Sequence, residues 1–342
     1  MNFLPIMSTF FFLLCFSIFF SLSSSHWLGV WLGLELNMLS FIVLMMSSEN
    51  LSASESSIKY FLLQALGSGL FFTGCIFSYL FNGLWGVGLI LNKESLLIMC
   101  GLGIKLGSAP FHFWVPSVMN ALSWSNSLLL SSFQKIIPLM FLINLYSYSA
   151  SLVVILMGAL GALVGGAGGL NQTQIRSLLG YSSISHVGWV VSISLISLYF
   201  SVFYFMIYLV SVLVVFIFLI KLDINSMKAF QVSVSETVLN KGIFFLALLS
   251  LAGLPPLLGF FPKMVGMMLM VEGNFLLLVL FLILGSVMSL FYYLNLFFSS
   301  YIISTMESKQ CNVFMIPSNT SLSSSLTILL FTGLLLLNMF FM

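Results

Sequence analysis

The chain has 342 residues, 61% hydrophobic and only 5% charged, with a formal net charge of +2. A soluble domain carries about 25% charged residues, so this composition excludes a water-facing globular protein and makes a bilayer the natural solvent. The few basic residues form no run, which excludes nucleic acid as a partner.

The N-terminal MNFLPIMSTFFFLLCF has no basic n-region and no Arg-rich amphipathic pattern, so it reads as a first span and not as a targeting peptide. A transmembrane helix needs about 20 apolar residues. That rule gives about eleven spans, near 3–22, 27–46, 58–80, 95–116, 123–146, 151–170, 178–197, 199–221, 239–271, 274–298 and 322–342. The runs are continuous and lack a period of two, which favours helices over a barrel. The expected fold is therefore an all-α polytopic membrane protein, one transmembrane domain over 1–342. The stretch 81–92 is too short to span and is expected at the interface. The longest connections, 222–238 and 299–321, read as polar connectors.

Numbering the connections from the N-terminus as zero, Lys59, Arg176, Lys221, Lys228, Lys241 and Lys309 fall on or beside even ones, and Lys93 on an odd one. The positive-inside rule then puts the even side, with the N-terminus, towards the cytoplasm or matrix. An odd number of spans sends the C-terminus to the opposite side. Cys15, Cys75, Cys100 and Cys311 are scattered without a CxxC and read as small buried hydrophobes, not as a disulfide or metal framework.

Four ionisable residues fall inside spans: Glu35, Lys105, Lys135 and Lys263. A charge at the bilayer centre costs roughly 3 kcal/mol or more, so a chain purged of charge keeps these for a reason. They are either structural ion pairs or a relay of titratable groups along a wet path. Burial disfavours the charged form of a lysine, and a nearby carboxylate favours it. At an effective dielectric near 20, a charge about 4 Å away is worth roughly 4 kcal/mol. Moving the carboxylate would switch the amine between holding and releasing a proton. Glu35, in WLGLELNMLSF, is the acidic residue at a span centre and the expected partner of Lys105.

Two spans carry helix breakers beside a lysine. GLGIKLGSAPFHFWVP (101–116) has Gly107 and Pro110 just after Lys105; LAGLPPLLGFFPK (251–263) has Pro255, Pro256, Gly259 and Pro262 just before Lys263. Broken helices at membrane depth lie in protein or beside hydrated cavities, and a pair in the two halves of a chain points to inverted repeats around a transport path. A proline kink made only for packing is the competing reading. His112 lies in the first break, and His186 sits mid-span with Tyr181, Ser182, Ser183 and Ser185 close in sequence; both titrate in a useful range. Lys59 opens a span and can snorkel to the interface. His26 is in a loop. GLGIKLG has no strand before it and is no dinucleotide fingerprint, and no Cys cluster or His pair is spaced for iron–sulfur or haem. The pattern points to an ion-translocating, foremost a proton-translocating, subunit.

At these motifs the chain resembles the chain 2 family of antiporter-like, mitochondrially encoded subunits of NADH–ubiquinone oxidoreductase, respiratory complex I. The resemblance is carried by WLGLELNMLSF, IKYFLLQALGS, GLGIKLGSAPFHFWVP, the Lys135 span, GGLNQTQIRSLLGYSSISHVGW and LAGLPPLLGFFPK, spread over 31–263. It implies a multi-pass protein of the mitochondrial inner membrane, with its N-terminus in the matrix and its C-terminus in the intermembrane space. It implies an inverted-repeat architecture and neighbouring antiporter-like subunits of the membrane arm. It implies that NADH, FMN, iron–sulfur clusters and ubiquinone are handled by partner subunits, with no cofactor bound here. Carried over residue by residue, Glu35 and Lys105 form the coupling pair, Lys135 is the central relay and Lys263 lies towards the exit or the neighbouring subunit. Three positions depart from the family pattern: Ser117 and Asn120 stand where acidic residues are usual, and Ser177 where a basic one is common. Two other classes share the lysines and breaks: an Mrp-like cation/proton antiporter subunit and a purely structural membrane subunit.

Overall fold

A computed structural model describes residues 3–47, 51–83, 85–86, 95–145, 151–222, 238–255 and 257–308. The expected span 322–342, with Lys93, Lys228, Lys309, Pro256 and Cys311, lies outside the described residues, as do 87–92 and most of both long connections. Everything described is helical or a short turn between helices. The helices are α1 (Phe3–Ser23), α2 (Trp27–Met46), α3 (Leu51–Asn82), α4 (Ser95–Leu106), α5 (Trp114–Ala121), α6 (Trp124–Ser131) and α7 (Phe133–Asn144), then α8 (Ser151–Gly169), α9 (Ile175–Ile193), α10 (Leu198–Leu222), α11 (Val238–Ala252), α12 (Phe260–Glu272) and α13 (Leu276–Ser308). Among the described residues six stretches are long and apolar enough to cross a membrane: Trp27–Met46, Leu51–Phe81, Trp124–Asn144, Leu152–Gly169, Leu198–Ile220 and Leu276–Phe298. Their outward faces carry large apolar side chains such as Leu32, Leu66 and Leu277, as a lipid-facing surface does.

Three boundaries differ from the sequence expectation. α3 begins at Leu51, seven residues before the expected 58, because SASESS contains no breaker and its hydroxyls bond back to carbonyls three residues earlier, as Ser56 does to Ala53 (2.8 Å). α13 runs on to Ser308, past the expected end at 298, through a stretch free of Gly and Pro. The expected single helix 123–146 is two helices that meet at Ser132 (φ −115°, ψ −80°). Three hydrogens converge there on the Leu128 carbonyl, from the Ser131 hydroxyl (3.0 Å), the Ser132 hydroxyl (2.6 Å) and the Ser132 N–H (3.0 Å). Pro138 also supplies no N–H for the next turn.

The chain forms two compact units that divide within α8, after Gly161. In the first, α3 packs against α2, α4 and α5, and α7 lies against α4, α2 and α1. In the second, α9 is surrounded: seventeen of its nineteen residues are buried, all but Arg176 and Tyr181. It packs against α10, α12 and α13. Its serines tolerate that setting because each bonds its own helix, as Ser182 does to Leu179 (2.9 Å) and Ser183 to Gly180 (2.7 Å). Small residues bring α8 onto its neighbours: a Cβ on Gly165 would lie 2.6 Å from the Ser185 nitrogen, and one on Gly166 2.6 Å from the Gly285 oxygen.

α4 and α11 end in the same way. Gly107 (φ 67°) and Gly253 (φ 85°) take the left-handed conformation that a side chain resists. At α4 the Ser108 N–H bonds the Gly103 carbonyl and the Gly107 N–H the Ile104 carbonyl, both at 3.1 Å. At α11 the Leu254 N–H bonds Leu249 (3.3 Å) and the Gly253 N–H bonds Ser250 (3.1 Å). These paired bonds are a Schellman closure, which stops a helix cleanly and satisfies its last carbonyls. One such end lies in each unit, and a lysine is held at each.

Candidate functional site: buried amines at two helix ends

In the first unit, Lys105 sits in the last turn of α4 and is buried at 5% exposure. Gly67 of α3 makes room for its stem, since a Cβ there would stand 3.1 Å from the Lys105 Cγ. The Lys105 Nζ has no hydrogen-bond partner among the described residues. The half-buried Glu35 carboxylate of α2 acts on it electrostatically. Glu35, the partner expected for Lys105 from the sequence, acts on it without a direct ion pair: among the described residues no acidic oxygen lies within 4.0 Å of the amine. Glu35 acts equally on the Tyr60 hydroxyl of α3, so the two helices present an amine and a phenol to one carboxylate.

Around this pair runs a hydrogen-bonded chain that the sequence reading did not single out. The Tyr60 hydroxyl donates to Gln134 Oε1 (3.0 Å), and Gln134 Nε2 donates to Asn37 Oδ1 (3.0 Å). Gln64, one turn beyond Tyr60, donates to the Lys105 carbonyl (3.3 Å). Trp114 of α5 donates its indole N–H to the Ile104 carbonyl (3.1 Å) and lays its ring edge-on to Tyr60 at 5.7 Å. The signal for these residues was present as uncharged polar side chains inside apolar runs, at 37, 60, 64 and 134. What was missing was any sign that three helices bring them together.

Lys135 follows Gln134 in the first turn of α7 and is buried at 3% exposure. The helix break at Ser132 places it: its N–H bonds the Ser132 carbonyl at 3.1 Å, three residues back. Lys135 therefore projects from a distorted turn whose neighbour, Gln134, closes the Tyr60–Asn37 chain. His112 donates Nδ1–H to the Pro110 carbonyl of its own loop (3.1 Å) and stacks near Phe113, so its bond stays within the 107–113 segment. Lys59 is exposed and paired with Glu55 on the surface of α3, one helical turn away. Ser117 and Asn120, two of the departing positions, both lie in α5; Ser117 bonds back to Trp114 (2.9 Å).

We expect Tyr60→Phe and Gln134→Leu each to destabilise the assembled protein by about 1–2 kcal/mol, because each strands a buried polar partner. In a double-mutant cycle read by thermal unfolding in detergent, the pair should couple by at least about 0.5 kcal/mol. Additive losses would show that the Tyr60–Gln134 bond is not formed.

In the second unit, Lys263 of α12 reaches back across the break to α11. Its amine donates to the Ala252 carbonyl at 2.8 Å, and it is buried at 6% exposure. That carbonyl ends α11, where the helix dipole is negative and a cation is favoured. The preceding carbonyl, Leu251, accepts from His186 Nε2 at 3.1 Å. Carbonyls only accept, so Nε2 carries the hydrogen, and in the neutral ring Nδ1 accepts from the Tyr204 hydroxyl at 3.0 Å. His186 and Lys263 thus hang on successive carbonyls of one helix end. The sequence treated them separately, because His186 comes from α9, and Tyr204 from α10.

Each unit thus offers buried lysine amines among polar side chains and freed carbonyls, and the second an imidazole beside its lysine, groups that can hold and release protons. Comparison with known proteins agrees in kind. The family described as NADH:quinone oxidoreductase/Mrp antiporter, transmembrane, matches residues 24–289. The chain is 38% identical over 285 residues to NADH-ubiquinone oxidoreductase chain 2 of Locusta migratoria, covering 83% of this chain and 82% of that one. It is 39% identical over 289 residues to the chain of the same name from Lumbricus terrestris, covering 84% of each. A chain of respiratory complex I from Thermus thermophilus superposes with a TM-score of 0.81 at 25% identity, over 94% of this chain and 76% of that one. With a family match across most of its length and relatives at this identity, the chain belongs to the NADH:quinone oxidoreductase/Mrp antiporter transmembrane family, in the branch of NADH-ubiquinone oxidoreductase chain 2.

Proposed function

We propose that this chain is a core membrane-arm subunit of mitochondrial NADH:ubiquinone oxidoreductase. It translocates protons across the inner membrane, driven by electron transfer from NADH to ubiquinone on partner subunits. The observation that carries this reading is the Lys105 amine, buried without a hydrogen-bond partner among the described residues and facing the Glu35 carboxylate. A side chain kept only for structure would be paired; one that exchanges protons needs access instead.

In this reading Glu35 and Lys105 are the coupling pair. Lys135 continues the path within the first unit, and His186 and Lys263 carry it at the end of α11. Lys59 and His112 are left out of the relay, since one is engaged with Glu55 on the surface and the other with Pro110. The two Schellman ends support discontinuous helices in an inverted-repeat arrangement of about eleven spans. The chain itself holds no redox cofactor; NADH, FMN, iron–sulfur clusters and ubiquinone belong to its partners, which include neighbouring antiporter-like subunits. The N-terminus faces the matrix and the C-terminus the intermembrane space, from the distribution of basic residues. The family description also covers Mrp antiporters, but the 38–39% relatives carry the chain 2 name, which favours the respiratory role.

Glu35→Gln tests the coupling pair. It keeps size and hydrogen bonding but removes the charge that acts on Lys105. In sealed membranes carrying the assembled complex, NADH-driven proton translocation should fall at least about tenfold while the complex still assembles. Wild-type translocation would remove Glu35 from the mechanism.

A further inference from the structure

The second unit holds a row of buried hydroxyls that the relay above does not use. From His186 the row passes by a hydrogen bond to Tyr204, and Tyr208 stands one turn further along α10, within electrostatic reach of Tyr204. The Tyr208 ring lies 4.9 Å from the His186 ring, and its hydroxyl shares a hydrogen bond with Ser183. Ser183 already donates to the Gly180 carbonyl, so Tyr208 is the donor. Tyr208 also interacts with Tyr293 of α13. Tyr293 lies beside Ser182 and beside Tyr292, whose ring is 4.7 Å away. The Tyr292 ring packs on Gly169, the last residue of α8, where a Cβ would lie 2.5 Å from it. Beyond Gly169 comes the exposed connection 170–174.

Two features mark this row as more than packing. All four tyrosines are at most 3% exposed, in a chain that has 36 Phe to 11 Tyr. Yet the hydroxyls of Tyr292 and Tyr293 close no hydrogen bond among the described residues, although each has the other, and Tyr293 has Ser182, beside it. A buried unpartnered hydroxyl is costlier than the phenylalanine that would replace it. Neighbouring hydroxyls that do not quite reach each other are the setting in which a water completes the chain.

We propose that Tyr292, Tyr293, Tyr208 and Tyr204, with Ser182 and Ser183, form a proton-conducting branch that joins the 170–174 connection to His186. It rests on the proton-translocating reading above and deepens it by naming an entry route to the α11 end. A proton enters from water at the connection. Each hydroxyl passes its own hydrogen inward as it accepts one from behind; Tyr208 turns its hydrogen from Ser183 towards Tyr204, and Tyr204 delivers a proton to His186 Nδ1. The branch carries one positive charge inward and leaves every hydroxyl neutral. Turning the hydroxyls back resets it, so no oxidant or other reactant is consumed. By the loop charges, the 170–174 connection, next to Arg176, is on the basic side, where protons are taken up.

The test uses the assembled complex in sealed membranes, reading protons translocated per NADH oxidised and the effect of D2O on that rate. Tyr292→Phe/Tyr293→Phe keeps both rings and should assemble with unchanged or raised thermal stability. Its translocation should fall at least about tenfold, with an altered solvent isotope effect that a packing role would not produce. Tyr199→Phe, at an exposed tyrosine of the same unit, should change nothing. If the double variant fails to assemble, each single variant breaks the same chain and is read in the same way. Lys263→Met is the reference. Loss in Lys263→Met with wild-type translocation and isotope effect in the tyrosine variants overturns the branch and leaves the proton-translocating reading standing. Wild-type translocation in both overturns that reading and the branch with it.

Discussion

Lys105→Met should cut NADH-driven proton translocation by about 10²-fold, the usual worth of one positioned proton-transfer group, without weakening the fold. Methionine matches the lysine stem in length and can lie over Gly67 as the stem does. The amine it removes makes no hydrogen bond among the described residues, so no partner is stranded by its loss. A lysine held for structure predicts the opposite. Breaking a buried ion pair costs about 3–5 kcal/mol and would show as a lower thermal midpoint or failed assembly. Translocation and thermal stability of the same membranes, measured side by side, therefore separate the two roles. Lost translocation with an unchanged midpoint supports the relay; a collapsed midpoint supports the structural role.

Gly253→Ala should damage the second site through a single methyl group. At φ 85° an alanine is strained by about 1–2 kcal/mol, and its Cβ would stand 2.9 Å from both Cδ and Nζ of Lys263. The amine would be pushed off the Ala252 carbonyl. We expect a stability loss of about 2 kcal/mol or more together with a drop in translocation. Gly242, in the same helix with nothing within 4 Å of its Cβ position, is the control. Gly242→Ala should be neutral or stabilise by up to about 1 kcal/mol, as alanine does inside an exposed helix. Equal behaviour of the two variants would mean that the left-handed turn does not hold Lys263.

Much of the scaffold was legible because the bilayer imposes simple rules. Trp27–Met46 stands where a 20-residue apolar run placed it; α4 ends at Gly107, which was read as a breaker, and α11 ends at Gly253, two residues before Pro255, which was. The titratable residues stood out because almost everything around them is apolar. Ser132 was missed because its break arises from three donors crowding one carbonyl, which no Gly or Pro announces. The start of α3 was missed because the apolar-length rule locates the bilayer and not the helix end. The contacts of the sites were the least legible. Tyr60 and Gln134 are 74 residues apart, and His186 and Leu251 are 65 apart. A polar residue in an apolar run signals that a partner exists, while its identity depends on how helices cross. The same limit left open whether Glu35 and Lys105 touch; in the structure they sense each other without a direct ion pair.

Both units place a lysine where the backbone ladder of a helix is interrupted. At α11 the freed carbonyls hold the amine and the imidazole directly. At α4 the last-turn carbonyls are taken by Trp114 and Gln64, and the amine is left without a direct partner. An ammonium abandoned at that depth would cost several kcal/mol, so water is the partner expected for it.

Density for ordered water around Lys105, in a high-resolution map of the assembled complex, is therefore the decisive measurement. A water within hydrogen-bonding distance of Nζ, continuing towards Glu35 or Lys135, is the expected result. A dry amine sealed on every side by apolar side chains would leave protons no way to reach it.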